Sequence, residues 1–381
     1  MIKSTTLQLA FILCFLLNFQ TGNAQQTVYD TITHNSVQRS YILYIPASYV
    51  PGTAMPLVFN FHGYTSDASS QMWYGDFRSI ADTAGFMIAH PMGTLDGSGV
   101  THFNVGWGGS SADDIGFTDA MIDTISAAYS VDLDRVYSTG MSNGGFMSMT
   151  LACSLSSRIA AVASVTGSMA PVIMAGCGAS HPTPVMQIHG TADGTVPYTG
   201  GAGWSESIDN VMNHWVNYNN CSASSILTNV PDSDPTDGST VEHFLWEDGD
   251  NCVDVEHYKI TGGGHTWAGS AFPSAGTNYD INASEKVWQF FSRFDINGKI
   301  DCTVGVNEIE NGLSLNVFPN PAQDILQVDS KFQNEAYEIW TLQGKKVIAG
   351  TISTTQLDIQ PLTQGTYILR VGQRVTKFVK I

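Results

Sequence analysis

In the run Arg135-Val136-Tyr137-Ser138-Thr139-Gly140-Met141-Ser142-Asn143-Gly144-Gly145-Phe146-Met147-Ser148-Met149, a β-prone segment turns directly into a helix-prone one. Arg135–Ser138 reads as a strand and Asn143–Ala152 as a helix, with Gly140-Met141-Ser142-Asn143-Gly144 between them. Flanking glycines let the chain make a sharp strand-to-helix turn that projects the central hydroxyl outward. A serine hydroxyl is a weak nucleophile at neutral pH and needs a nearby base and a place for developing negative charge. Ser142 is therefore the candidate nucleophile.

Strand-like and helix-like segments alternate on both sides of this elbow. Thr27–Thr33 and Val37–Ile45 read as strands joined around Asn35-Ser36, and Pro56–Phe61 as a buried strand ending at His62-Gly63. A helix over Gln71–Thr83 and a strand over Phe86–His90 come next. Asp113 and Asp114 are placed to cap a helix over Ile115–Tyr129. Further strands are expected at Ile159–Val165, Val185–His189 and Val253–Ile260, with helices near Ser205–Trp215 and Ser284–Phe294. Near-continuous apolar strands alternating with helices predict a mostly parallel sheet covered on both faces. With the elbow, this predicts an α/β-hydrolase fold. Fewer than twenty residues separate Val165 from Val185, too few for a cap domain, so the site should be open to solvent and to polymers.

In that fold the nucleophile is followed in the chain by the acid and then by the histidine. Asp193 stands in Gly190-Thr191-Ala192-Asp193-Gly194, a turn directly after the strand at Val185–His189. His265 stands in Gly262-Gly263-Gly264-His265-Thr266-Trp267, a loop after the last predicted strand, where an imidazole has room to act. The catalytic set is thus Ser142, Asp193 and His265. The oxyanion donors are the main-chain N–H groups of Asn143 and of Tyr64, the latter following Phe61-His62-Gly63. His62 and His189 read as structural. Trp107 and Trp267 lie on loops at the expected edge of the sheet; they are candidates for substrate binding and equally for loop packing. The Asp232, Asp234 and Asp237 spacing misses a calcium-loop pattern, and no Cys/His spacing suggests zinc, so neither a metal nor another cofactor is expected.

The formal net charge of −18 and the absence of a Lys/Arg cluster argue against nucleic-acid binding. Lys3, the apolar run Leu7–Leu17 and Gly22-Asn23-Ala24 read as a signal peptide, which implies export into an oxidising compartment. Of the six cysteines, Cys14 falls in that leader. The favoured bridges are Cys153–Cys177 and Cys221–Cys252, with Cys302 an alternative partner for any of them. Beyond Phe294 the texture changes to short alternating stretches such as Ile325–Val328, Tyr337–Leu342 and Thr366–Val371, a small all-β sandwich. The expected domains are a signal peptide at 1–24, the catalytic domain at 25–297, a linker at 298–312 and the β-sandwich at 313–381.

Six motifs occur in order: Arg39-Ser40-Tyr41-Ile42-Leu43-Tyr44-Ile45-Pro46, His62-Gly63, Asp113-Asp114-Ile115-Gly116-Phe117, Asp134-Arg135-Val136-Tyr137, the elbow, and Gly264-His265-Thr266-Trp267. Together they resemble the secreted polyhydroxybutyrate-depolymerase/feruloyl-esterase family. The resemblance implies carboxylic-ester hydrolysis through Ser142, Asp193 and His265. Its implied substrates are feruloyl or acetyl esters of plant polysaccharide, polyhydroxyalkanoates or simple aryl esters, the first being favoured. The tail motifs Val317-Phe318-Pro319-Asn320-Pro321-Ala322, Gly365-Thr366-Tyr367-Ile368-Leu369-Arg370-Val371 and Lys377-Phe378-Val379-Lys380 resemble a type IX secretion sorting tail. That implies a partnership with the secretion machinery and a secreted or cell-surface location for a monomeric enzyme. The reading from a different class is a surface polysaccharide-binding protein on a hydrolase scaffold without activity. The polyester depolymerase is the alternative within the enzyme class.

Overall fold

The computed structural model describes residues 25–302 and 315–381, apart from 273, 343 and 373. The expected signal peptide lies outside these residues. Two compact units divide between Cys302 and Thr303.

The first unit is built on a ten-stranded sheet. Its strands are β1 (Gln26–His34), β2 (Val37–Ile45), β3 (Met55–Phe61), β4 (Met87–Pro91), β5 (Val131–Met141), β6 (Ala161–Val165), β7 (Val185–Gly190), β8 (Ile226–Asn229), β9 (Thr240–Trp246) and β10 (Val255–Thr261). They lie in the order β1-β2-β4-β3-β5-β6-β7-β10-β9-β8. The six central strands β4, β3, β5, β6, β7 and β10 run parallel to one another. Antiparallel pairs β1–β2 and β9–β8 finish the two edges.

The pleat sorts side chains between two cores. Leu57, Phe59 and Phe61 of β3 enter one, with Phe117 and Met121 of helix α3 (Asp114–Ala128), Phe146 of α4 (Asn143–Ser154) and Trp215 of α6 (Ile208–Tyr218). Val58 faces the other, with Phe77, Ala81 of α2 (Arg78–Ala84), and Val287 and Phe290 of α7 (Ala283–Phe291). Helices therefore cover both faces of a mostly parallel sheet.

Three details differ from the sequence reading. The helix expected over Gln71–Thr83 is two seven-residue helices, α1 (Ala68–Tyr74) and α2. The break falls at Gly75, whose carbonyl accepts the buried Asn60 amide at 2.9 Å and where a Cβ would lie 3.0 Å from Trp267. The edge strands β8 and β9 were not anticipated. Finally, residues 298–302, expected in the connector, belong to the first unit. Phe294–Asp295 and Gly298–Lys299 form a small hairpin, and Cys302 is bridged to Cys252, which ties this stretch to the first unit.

That bridge corrects the expected pairing. Cys153–Cys177 forms as anticipated, but Cys252 pairs with Cys302, and Cys221 is a free thiol. The hairpin folds the chain back so that Cys302 reaches Cys252 at a Cα separation of 5.6 Å, within bridging range. Cys221 instead sits half-buried with its Sγ 3.7 Å from the Val253 carbonyl.

The second unit has a three-stranded and a four-stranded sheet, the latter running Lys346–Thr351, Ala336–Thr341, Gly365–Val371, Arg374–Lys380 in antiparallel order. Leu326 and Val328 from one sheet and Ile339, Leu369 and Phe378 from the other share a single core, as in a sandwich.

Candidate active site

Strand β5 ends at Met141 and α4 begins at Asn143, so the turn between them is one residue long. Ser142 occupies it at φ 55° and ψ −120°, a conformation a non-glycine residue adopts only when its surroundings enforce it. The enforcement is close packing. A Cβ on Gly144 would lie 2.2 Å from the Phe61 carbonyl oxygen, and one on Gly140 would lie 2.6 Å from the same atom. The Ser142 N–H donates to the Val165 carbonyl of β6 at 2.9 Å. The serine is thereby lifted above the sheet, at its carboxyl edge, with only 8% of its surface exposed.

Asp193 and His265 follow two neighbouring strands, β7 and β10. After β7, Asp193 Oδ1 accepts the N–H groups of Thr195 and Val196 at 2.8 and 2.9 Å, which closes the turn. The loop after β10 is fastened to that turn: the Thr191 and Ala192 N–H groups donate to the carbonyls of Ile260 and Gly263. The approach is so close that a Cβ on Gly190 would meet the Gly263 oxygen at 2.2 Å. His265, in that same loop, then places Nδ1 2.7 Å from Asp193 Oδ2. A carboxylate can only accept, so Nδ1 carries the proton and Nε2 is left as a lone-pair base. Burial pushes the Asp193 carboxyl up, but the His265 hydrogen bond and charge, the Val196 N–H and His189 together hold it below the usual carboxylate range.

Ser142 and His265 line one cavity of about 350 Å³, together with Gly63, Tyr64, Gln71 and Tyr74. A Cβ on Gly63 would touch Ser142 Cβ at 3.4 Å, so the loop after β3 passes directly against Ser142. Next to it, the Tyr64 N–H, like the Asn143 N–H at the start of α4, donates to no group among the described residues. His62 secures this loop: its Nδ1–H donates to the Gly63 carbonyl at 2.7 Å and its Nε2 accepts the Gly93 N–H at 3.0 Å. Burial keeps the ring neutral by lowering its pKa.

Two of the tryptophan readings separate. Trp267 is 1% exposed, set edge-on to Phe77 and bonded through Nε1 to Ser284 Oγ, so of its two expected roles the structure shows loop packing. Its short neighbours Gly264 and Thr266 pull it inward, as both bond to Gly276 behind the loop. Trp107 is half-buried, packs on Phe146 and Trp204, and lines a second cavity that Tyr64 also lines. Among the described residues, no cluster of three or more His, Cys, Asp or Glu is arranged to hold a metal.

Sequence reasoning missed what lies beneath Asp193. Fully buried Gln187 donates its amide to the Gly167 carbonyl at 2.9 Å and to His189 Nδ1 at 3.0 Å. His189 Nε2 must then carry the ring proton, and it donates to the Val196 carbonyl at 2.9 Å while standing 3.4 Å from Asp193 Oδ2. Burial lowers the His189 pKa, so this is a neutral contact and not an ion pair. The signal was present: Gln187 and His189 alternate with Met186 and Ile188, two polar residues on one face of a buried strand. Asn143 also does more than expected, since its side chain clamps the Phe103 backbone through bonds of 2.7 and 3.0 Å.

Comparison with known proteins adds the following. The family described as Phospholipase/Carboxylesterase matches residues 115–237, and the Secretion system C-terminal sorting domain matches residues 316–381. The chain is 30% identical over 261 residues to a probable feruloyl esterase C of Aspergillus clavatus, covering 66% of this chain and 83% of the relative. It is 25% identical over 293 residues to the bifunctional acetylxylan esterase/xylanase XynS20E of Neocallimastix patriciarum, spanning 75% of this chain but only 39% of that protein's length. Among solved structures, an acetyl xylan esterase from Aspergillus awamori superposes with a TM-score of 0.49 at 14% identity, over 70% of this chain and 99% of that one.

Proposed function

The chain belongs to the feruloyl esterase family, and from that premise we propose that it is a secreted carboxylic-ester hydrolase acting through Ser142, His265 and Asp193. The observation that carries the reading is the relay of contacts at the carboxyl edge of the sheet. Asp193 holds His265 by Nδ1, and His265 shares a cavity with a strained, raised Ser142.

His265 Nε2 takes the Ser142 proton as the hydroxyl attacks the ester carbonyl, forming the C–O bond and a tetrahedral oxyanion. The N–H groups of Tyr64 and Asn143 stabilise that charge. Collapse expels the alcohol, which receives the proton from His265 and leaves an acyl group on Ser142. Water, deprotonated by the same imidazole, then releases the acid. Asp193 keeps the ring in the required tautomer and stabilises it while it is charged.

The stretch from Thr166 to Pro184 carries one five-residue helix, α5 (Pro171–Ala175), so no cap covers the cavity from that side. An uncovered site and a sorting domain fit an extracellular polymeric ester, and the relatives named above point to feruloyl or acetyl groups on plant polysaccharide. The test compares methyl ferulate, acetylated xylan and polyhydroxybutyrate film with the wild type and Ser142→Ala. We expect turnover of the first two, falling by about 10⁴-fold or more in the variant. Wild-type turnover of the film alone would make the enzyme a polyester depolymerase. Near-wild-type rates in Ser142→Ala would remove the serine mechanism, and polysaccharide binding without ester turnover would leave a binding protein.

A further inference from the structure

Helix α1 puts two polar side chains, Gln71 and Tyr74, about one turn apart on the wall of the cavity that Ser142 and His265 also line. Neither belongs to the triad or to the oxyanion donors. The orientation of the Gln71 amide is fixed by a chain of contacts that starts on the backbone. The Gly75 carbonyl can only accept, so the Asn60 group that meets it at 2.9 Å is the Nδ2 amide. Asn60 Oδ1 therefore faces Gln71, which donates to it from Nε2 at 2.8 Å. Asn60 is fully buried and Gln71 is 2% exposed, so neither amide can turn over without leaving a buried group unpaired. Gln71 Oε1 is left as an acceptor to which no described residue donates, and it keeps some surface open to solvent.

Tyr74 is its complement. Its hydroxyl oxygen accepts the N–H of Trp267, two residues beyond His265, at 3.2 Å, and its own proton goes to no described group. Its carbonyl accepts Ser270 Oγ at 2.9 Å, which pins α1 to the loop that carries His265. The cavity thus holds three groups of fixed character. Gln71 Oε1 is an acceptor, the Tyr74 hydroxyl a donor, and His265 Nε2 the lone-pair base. A water molecule that attacks an acyl-enzyme matches this set. It donates one hydrogen to the base and the other to an acceptor, accepts one bond, and keeps its second lone pair for the attack.

We propose that Gln71 and Tyr74 hold the water that releases the acyl group from Ser142. The inference rests on the ester-hydrolase reading and deepens it by giving the second half-reaction its own residues. The water enters as the alcohol departs, donates to Gln71 Oε1 and His265 Nε2, and accepts from the Tyr74 hydroxyl. His265 takes its proton as its oxygen bonds to the acyl carbon, and the carbonyl electrons move onto the oxyanion. The carbonyl then re-forms, the bond between the acyl carbon and Ser142 Oγ breaks, and Oγ recovers the proton from His265. Attack by Ser142 itself needs no water, so the Gln71 acceptor serves deacylation alone.

Stopped-flow kinetics with p-nitrophenyl acetate separate the two halves: the burst reads acylation and the steady rate that follows reads deacylation. Gln71→Met keeps the length of the side chain and removes the acceptor. We expect its burst rate constant and kcat/KM to stay near wild type while kcat and KM fall together by about tenfold. An unchanged kcat/KM also shows that the fold is intact. Tyr74→Phe removes the donor and frees the Trp267 N–H beside His265, so it should slow both halves, deacylation the more. Intact mass after an acid quench should find more acetylated Ser142 at steady state in both variants. Equal falls in kcat and kcat/KM would make the pair structural. A KM that rises in Gln71→Met for methyl ferulate but not for methyl cinnamate would make Gln71 a contact for a substrate hydroxyl. Either result overturns the water site. A wild type that forms no acyl-enzyme sinks the hydrolase reading and this proposal together. An acyl-enzyme that forms in all three proteins and clears at equal rates sinks this proposal alone.

Discussion

Asp193 divides its work between its two oxygens. Oδ1 closes its own turn on the Thr195 and Val196 N–H groups, and Oδ2 receives His265. The Val196 carbonyl is in turn held from below by His189, whose tautomer Gln187 fixes. On the proposed mechanism His189 is thus a positioning residue: fully buried, it holds the turn that aims the Asp193 carboxylate. Replacing it with leucine leaves one of the two Gln187 amide N–H groups and the Val196 carbonyl unpaired and lets the turn shift. Because a displacement of the order of an ångström at a catalytic group costs about 10²-fold in rate, His189→Leu should lower kcat by about that factor with KM little changed. A variant that merely unfolds more easily would keep kcat per folded molecule, so steady-state kinetics well below the melting temperature separate the two.

Among the elements, the small hairpin at Phe294–Lys299 has the clearest structural task. It turns Cys302 back to Cys252 and brings Lys299 to Asp254 at 3.3 Å. Arg293, at the end of α7, pairs with Asp254 at 3.1 Å and also with Glu256, which accepts His243 of β9 at 2.9 Å. The bridge closes 50 residues of chain, so in the chain-entropy account its loss costs about 4 kcal/mol. We expect Cys302→Ser to lower the urea midpoint strongly and Cys221→Ser to leave it nearly unchanged. A thiol titration of the unfolded wild type should find one free cysteine among Cys153, Cys177, Cys221, Cys252 and Cys302. If instead Cys221→Ser is the destabilising change, the pairing is wrong.

At the scale of the molecule, acid stability follows from buried carboxylates of opposite tendency. Asp193 and Glu256 are held below the range they would have in the unfolded chain, in each case because hydrogen bonds and cationic neighbours outweigh burial. A depressed folded-state pKa contributes stability that is whole above the unfolded value of about 4 and is lost as pH falls through the folded one. Asp254 runs the other way: burial raises it despite Lys299 and Arg293, so its protonation relieves a cost. The buried His62 and His189, whose pKa burial lowers, add to the loss on the acid side, because the unfolded chain takes up their protons below about 6.5; the urea midpoint of the first unit should therefore begin to fall below about pH 6.5 and fall further below about 4. A midpoint that rises on acidification would show that Asp254 dominates.

The sequence by itself determined the alternation of strands and helices, the elbow, the order of acid and histidine and the small β-sandwich. These are local matters, since hydrophobic period, glycine spacing and turn chemistry act over a few residues. Proximity in space was decided by the tertiary structure. Trp267 and Trp107 look alike in the chain, yet one is drawn into the core by Phe77 and Ser284 and the other borders an open cavity. Cys302 and Cys221 were equal candidates until the hairpin brought one of them to Cys252. His189 was a bland strand residue until β7 packed its face against the Asp193 turn. Each of these outcomes depends on contacts between residues distant in sequence, whose geometry is set only when the sheet closes and its loops meet.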